Sequence, residues 1–269
     1  MSTWVPLQAS KHQHTHWRKF TDYHFSAADK LAPVVVAELN ELLPHYLLAF
    51  SLRPGSSPQA PAFELVALLG SQGNAYLHPQ QGRWMAPYVP AYYRGYPFRL
   101  LPQPNSPSKS VLCVDSASEL LSETANPKSQ PLLNEQGQPT SELGAVIDFL
   151  TQTEKNRLLT HQLLDQLQAA ELIQPWLLTL QADSDQKAQQ LQGLYRVEEE
   201  RLRQLPGAQL EKLAQSGALT LAYGQLLTQG RVKDLQKRLE FQQQSSGQPN
   251  KEIDLDQVFG EANEDVFKF

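Results

Sequence analysis

At 269 residues, with 41% hydrophobic and 19% charged side chains, the chain is long enough to bury a full core and too apolar for a disordered protein. A net charge of −5 without any Lys/Arg block argues against nucleic acid as a partner, because phosphate binding needs a concentrated basic face. The single cysteine, Cys113, excludes an intramolecular disulfide and a cysteine-based zinc site.

The opening Met1-Ser-Thr-Trp-Val-Pro-Leu7 has no basic region and no apolar stretch of signal-peptide length. No segment approaches the roughly 20 apolar residues of a membrane span, so cytoplasmic residence without a membrane span is expected. His12, His14 and His16 alternate. On a strand they share one face, where neutral imidazoles can ligate iron or zinc, completed by Asp22, His24 or Asp115. No His-x-Asp/Glu pair accompanies them, so a polar surface strand or loop is expected, with no metal and no cofactor. His16 and His24, beside Trp17 and Phe25, are placed near the core.

Short apolar runs bounded by turn formers predict strands at Val34–Ala37, Tyr46–Phe50, Phe63–Leu69, Ala75–His78 and Val111–Val114, with a helical turn over Leu39–Leu43. Loops are expected at Pro54–Pro58, Asn105–Lys109 and Ser122–Gln130. Cys113, inside an apolar run, is expected to be a buried structural thiol.

The most informative stretch lies between those strands: Gly70, Gly73-Asn74, Gly82-Arg83-Trp84, Tyr88-Val-Pro-Ala91 and Arg94-Gly-Tyr-Pro-Phe98. Trp84, Tyr88, Tyr92, Tyr93, Tyr96 and Phe98 can line a groove for a protein segment, held rigid by Pro87, Pro90 and Pro97. The alternative is that these rings cover the sheet edge and pack the helical half. Trp84 and Phe98 are expected to be buried. Tyr92 and Tyr93 are adjacent, so on an extended segment one of them should expose its ring. Arg83, Arg94 and Arg99 flank the same rings and can clamp a carboxylate, or pair with Asp115 or Glu38. The expected binding set is Arg83, Trp84, Tyr88, Tyr92, Tyr93, Arg94, Tyr96 and Arg99, with no catalytic residue among them.

From Thr140 the apolar period changes to three and four residues. Thr140 or Ser141 can cap a helix carrying Leu143, Val146, Ile147 and Leu150, continued by Leu158, Leu159, Leu163, Leu164 and Leu167 to about Ala170. Pro175-Trp176 interrupts it. Leu191–Val197 predicts a strand returning to the sheet, with Gly193 allowing close backbone approach. Helices over Glu198–Leu205, Gly207–Gln215, Ala218–Thr228 and Arg231–Gln242 follow, broken at Pro206, Gly217 and Gly230. Leu210, Leu213, Leu219, Tyr223, Leu226 and Leu227 should face inward. Gln242–Asn250 is a polar linker, and beyond it Ile253-Asp-Leu-Asp256, Val258-Phe259 and Asp265-Val-Phe267 alternate acids with large apolar residues.

Together these pieces resemble the SapC family of bacterial proteins. The match rests on Glu38, Pro44-His-Tyr46, Ala67–Gly70, Gly73-Asn74, Gly82–Trp84, Tyr88–Pro90, Tyr96–Phe98, Cys113–Asp115, Asn134–Gly137 with Thr140, Gly193–Val197, Glu200 with Leu202, and Ser216–Leu219, in that order from about Trp4 to Leu239. The resemblance implies an accessory protein encoded near outer-membrane receptors, large surface adhesins, iron/2-oxoglutarate oxygenases or flavin halogenases. It carries over no catalytic residue. Asn134 stands where the family more often has Asp, which puts a carboxylate role for that loop in doubt, and Glu198 stands where Asp is usual.

The expectation is an α+β fold: a single unit over residues 1–242, β-rich in 1–125 and mainly helical in 140–242, with a linker and acidic/apolar tail over 243–269. The expected function is that of a non-enzymatic interaction or regulatory protein of a surface-adhesin (biofilm) or outer-membrane receptor system. Its partner would be a surface adhesin or a modifying enzyme. The rival expectation is a metal-dependent peptidyl-modifying oxygenase of the iron/2-oxoglutarate type, or its obligate accessory subunit.

Overall fold

The computed structural model describes residues 3–57, 59–103, 106–180 and 189–245. The front half contains β1 (Trp4–Pro6), α1 (Ala9–His12), β2 (His16–Trp17), β3 (Leu31–Pro33), α2 (Leu39–Leu42), β4 (Leu47–Leu52) and β5 (Phe63–Leu68). It continues through α3 (Ala91–Arg94), β6 (Phe98–Gln103), β7 (Ser106–Asp115), β8 (Leu121–Ser122) and β9 (Gln130–Pro131). Behind these come α4 (Ser141–Ala169), β10 (Ile173–Leu180), β11 (Gln189–Val197), α5 (Glu199–Arg203), α6 (Gly207–Ser216), α7 (Ala218–Leu227) and α8 (Val232–Ser245). The fold is α+β, with antiparallel sheets mainly in front and helices mainly behind.

The central sheet has the order β10-β11-β4-β5-β3. β4 and β5 are apolar on both faces, with Leu47–Phe50 and Leu65–Leu68 buried, as strands covered on two sides require. β11 adds to their edge through Leu194 opposite Ser51 and Tyr195 opposite Phe50, so a back-half strand completes the front-half sheet. A second sheet, β1-β7-β6, and a small third one, β8-β2-β9, lie apart from it.

Several local expectations shift. The strand expected at Val34–Ala37 ends at Pro33, and Val36–Glu38 coils into a 3-10 turn because the Glu38 carboxylate accepts the Val35 N–H at 3.0 Å. Ala75–His78 is a turn, not a strand, since Asn74 Oδ1 captures the Tyr76 N–H at 3.0 Å. Ile173–Leu180, where Pro175 suggested only a break, forms the edge strand β10, a place where a missing N–H is tolerated. Gly193 has φ 78° and open space around its missing Cβ, so it serves a β-bulge opposite Trp176–Leu178 and not a close approach.

α4 ties the two larger sheets together. It is capped by Thr140, whose Oγ1 accepts the Leu143 N–H at 3.5 Å, and it closes in a Schellman turn with Glu171 at φ 54° and Leu172 N–H on Leu167 O at 3.0 Å. Its first half covers Trp17, Phe98, Val114 and Leu132, and its second half lays Leu163, Leu164 and Leu167 on the main core. Leu158 and Leu159, expected on that same face, are 50% and 44% exposed. Tyr223 and Leu227, expected to face inward, are exposed as well.

α8 extends to Ser245 and so takes up the first residues of the expected linker; Gln242 Nε2 donates to Leu77 O. Residues 246–269, which carry the rest of the linker and the acidic/apolar segment, lie outside the described residues. Among the described residues no helix is long and apolar enough to cross a membrane.

Trp84 is buried, donates Nε1–H to Tyr46 Oη at 2.7 Å and packs against Tyr23, Tyr76 and Tyr93. Trp84→Ala removes this contact area and leaves a cavity, so it should destabilise the fold by about 3 kcal/mol or more. Denaturant unfolding checks this; an unchanged midpoint contradicts it.

Candidate functional site

The segment that carries the predicted site residues is anchored by Glu38. Its side chain is buried, with Oε1 accepting from Tyr88 Oη at 2.8 Å and Ala91 N–H at 2.7 Å, and Oε2 accepting from Val35 N–H. Tyr88 Oη accepts in turn from Arg94 Nη2 at 2.9 Å. Burial and the adjacent Glu38 both push the Tyr88 hydroxyl pKa up, so it remains a proton donor to the carboxylate. A chain of hydrogen bonds thus runs from the core to an exposed guanidinium.

The eight expected binding residues separate into distinct environments. Trp84 and Tyr93 are buried and offer no ring to a partner, and Tyr93 Oη donates to Asp29 Oδ2 at 2.9 Å. Phe98 is buried too, against Trp17. Neither adjacent tyrosine exposes its ring as expected: α3 replaces the extended segment, Tyr93 turns inward, and Tyr92 is half-buried beneath Arg99, whose guanidinium lies 4.2 Å from its centroid and 4.5 Å from that of Trp4. Arg83 is exposed on the turn whose carbonyl accepts the His78 N–H. Arg94 stands over Tyr88 and Phe149, so the two guanidinium groups of Arg94 and Arg99 serve different rings and make no common clamp. Nor do the expected ion pairs form: Glu38 is held as above, and Asp115 accepts from Thr3 N–H at 2.7 Å and Tyr96 Oη at 3.2 Å.

Arg94 and Tyr96 do reach a common surface. They line an open groove of about 610 Å³ between α3, the segment after β2 and the outer side of α4. Trp17, Phe20, Val146 and Phe149 give it an apolar lining, with Lys19 and Arg94 as cations and Glu142 as the acid. The Glu142 carboxyl is held below its usual range by the Ser141 hydroxyl. Gly95 lets α4 come close, because a Cβ there would meet Leu150 Cδ2 at 2.6 Å. Tyr96 is fixed by a 3.9 Å stack on Phe25.

Sequence reasoning missed Lys19, Phe20, Glu142, Ala145 and Phe149, and assigned Val146 to the buried face alone. The available signal was Glu142, Ala145, Val146 and Phe149, a second stripe at helical spacing beside the Leu143–Ile147–Leu150 face. An apolar groove edged by cations suits binding of a chain that offers apolar side chains and a carboxylate.

Two other depressions differ in chemistry. One, of about 450 Å³, lies beside the end of α8 and is lined by polar groups including His24, Ser71, Asn74, His78 and Gln242. The other is a cavity of about 50 Å³ under α4, bordered by Glu64, Arg157 and His161. His12 closes α1 while His16 lies in β2, so the alternating histidines do not share a strand face, and His24 is exposed rather than near the core. Among the described residues no three His, Cys, Asp or Glu side chains are grouped to hold a metal ion. In the Asn134 loop, Asn134 Oδ1 accepts the N–H groups of Gln136 and Gln138 at 3.0 and 2.9 Å, the turn-forming task that an Asp would also perform.

Against known proteins, the SapC family model matches residues 7–235, and the chain belongs to the SapC family. Comparison with curated proteins and with solved structures gave no match.

His161, buried in α4, accepts from Arg157 Nη1 at 3.4 Å through Nδ1, which assigns the proton of the neutral ring to Nε2. Burial first, then Arg53 and Arg157, lower its pKa from 6.5 to about 4, against opposing pulls from Asp165 and Glu154. The folded state therefore resists a proton that the unfolded chain accepts. Its contribution is complete above pH 6.5 and is lost as pH falls from 6.5 to about 4. The loss is on the order of 3 kcal/mol. Glu64, whose pKa burial raises, titrates with the opposite sign, so the test is the difference between parent and His161→Gln stability profiles. That difference should change across pH 7 to 4, and a flat one contradicts the assignment.

Proposed function

We propose that the protein is a non-enzymatic interaction module that binds a segment of another protein in the groove between α3 and α4. What supports the reading most is the groove itself: apolar rings on its lining, and Arg94 held at its edge by Tyr88 and Glu38. Of the predicted set, Arg94 and Tyr96 contact the segment and Tyr88 positions Arg94.

The bound segment presents one or two large apolar side chains to Phe20 and Phe149, and a carboxylate to Arg94 or Lys19. Burying one such side chain contributes about 1.5–3 kcal/mol, and a charge-assisted hydrogen bond adds about as much. Ordering an extended chain offsets part of that gain, so affinities of about 0.1 millimolar are expected. By resemblance within the SapC family, the partner belongs to a surface-adhesin or outer-membrane receptor system, as the surface protein or the enzyme that modifies it. The chain would meet it in the cytoplasm.

Selection of displayed random peptides on the purified protein should enrich sequences that combine aromatic or aliphatic residues with acids. Arg94→Ala should weaken the selected peptides by about tenfold. Ala145→Arg, on the exposed side of α4, should block them while leaving the melting temperature unchanged. Peptides whose affinity ignores both substitutions would place binding elsewhere and overturn the reading.

A further inference from the structure

We propose that residues 253–259 of this same chain, Ile-Asp-Leu-Asp-Gln-Val-Phe, occupy the α3–α4 groove and compete there with the outside partner. The inference rests on the groove's being a segment-binding surface and names a ligand for it.

Chemistry selects the segment. The groove offers apolar rings and two cations, Lys19 and Arg94, against the single acid Glu142. Residues 253–259 supply Ile253, Leu255, Val258 and Phe259 with Asp254 and Asp256 between them, and residues 246–269 as a whole carry six acids and two lysines. Opposite charge across the rim favours the encounter and fixes which way the segment lies.

α8 ends at Ser245, and its Gln242 and Gln243 line the polar depression that His24 also lines. Phe20, four residues before His24, lines the groove, and its ring is 5.1 Å from Tyr23 and 5.5 Å from Phe25. The depression and the groove are thus separated by the residue 20–24 stretch. Residues 246–252 span about 23 Å when extended, enough to pass that stretch before the first apolar residue, Ile253. A tether this short raises the local concentration of the segment to about millimolar, so modest affinity is enough to fill the groove.

Occupancy of this kind acts as a threshold. A partner with the same apolar and acidic chemistry must displace residues 253–259 before it binds, and weaker sequences are excluded.

The test uses the full chain with Gln257→Cys carrying a nitroxide label; Cys113 is buried at 3% exposure and is spared. Paramagnetic broadening of backbone amide signals should centre on Lys19, Gly95 and Ala145–Phe149, in dilute samples, and should vanish with Phe259→Asp. Broadening centred on Gly73–His78 would put the segment in the polar depression. Broadening of an unlabelled, isotope-enriched copy mixed with labelled chain would make the contact intermolecular. Either result, or no broadening at all, overturns the proposal.

Selected peptides are titrated in parallel. Phe259→Asp should tighten their binding by threefold to tenfold if the segment competes, and an unchanged affinity contradicts competition. Binding that still depends on Ala145 but not on Phe259 refutes only the intramolecular occupant. Binding indifferent to Ala145 refutes the groove as a segment-binding site.

Discussion

The buried Glu38 carboxylate is the interaction on which the rest of this structure depends. Its partners come from three parts of the chain: Val35 before the 3-10 turn, Tyr88 in the proline-rich segment, and Ala91 at the start of α3. A charged group taken out of water is tolerated only when its lone pairs are filled, and losing one such partner costs about 1–3 kcal/mol or more. The same turn is fastened to α4, because Val36 N–H donates to Thr160 Oγ1 at 2.9 Å. Glu38 therefore fixes α3 relative to the sheet, and the turn beside it fixes α4. The groove is the space those two placements leave.

The rings around Glu38 continue the same logic. Trp84 donates to Tyr46 Oη, Tyr46 to Tyr88 O, and Tyr76 Oη to His45 O, so polar tips of aromatic residues are satisfied inside the core. Arg238 of α8 lies 4.4 Å from the Tyr76 centroid and donates to Met85 O at 3.2 Å, which locks the last helix onto that cluster. Burial raises the Tyr76 pKa to about 12, consistent with a hydroxyl that only donates and accepts hydrogen bonds.

Long periodic or continuous apolar segments were legible in the sequence. β4, β5, β11 and α4 fall within a few residues of their expected positions because burial on the sheet or along one helical face dictates residue type. β1, β2, β8 and β9 were not legible: strands of two or three residues exist only through partners distant in sequence, as Trp4 opposite Asp115 illustrates. β6 and β10 were hidden by Pro102 and Pro175, which local rules read as breaks and the fold accommodates at sheet edges or irregularities. At the site, Arg94 and Tyr96 were recognisable from their composition. Trp84 and Tyr93 were not separable from surface rings, since a Trp or Tyr that binds a partner and one that hydrogen-bonds in the core look alike in sequence. Glu38 was noticed as a possible ion-pair partner of an arginine. Its link to Arg94 passes through the Tyr88 hydroxyl, which no local pattern announces.

The most direct test of this account is a double-mutant cycle on folding free energy between Glu38→Gln and Tyr88→Phe. Both substitutions keep shape while removing, respectively, the charge and the hydroxyl that joins it to Arg94. If Glu38 is the anchor and Tyr88 its partner, the two effects are coupled by about 1 kcal/mol or more. Additive effects, with no coupling energy, contradict the account.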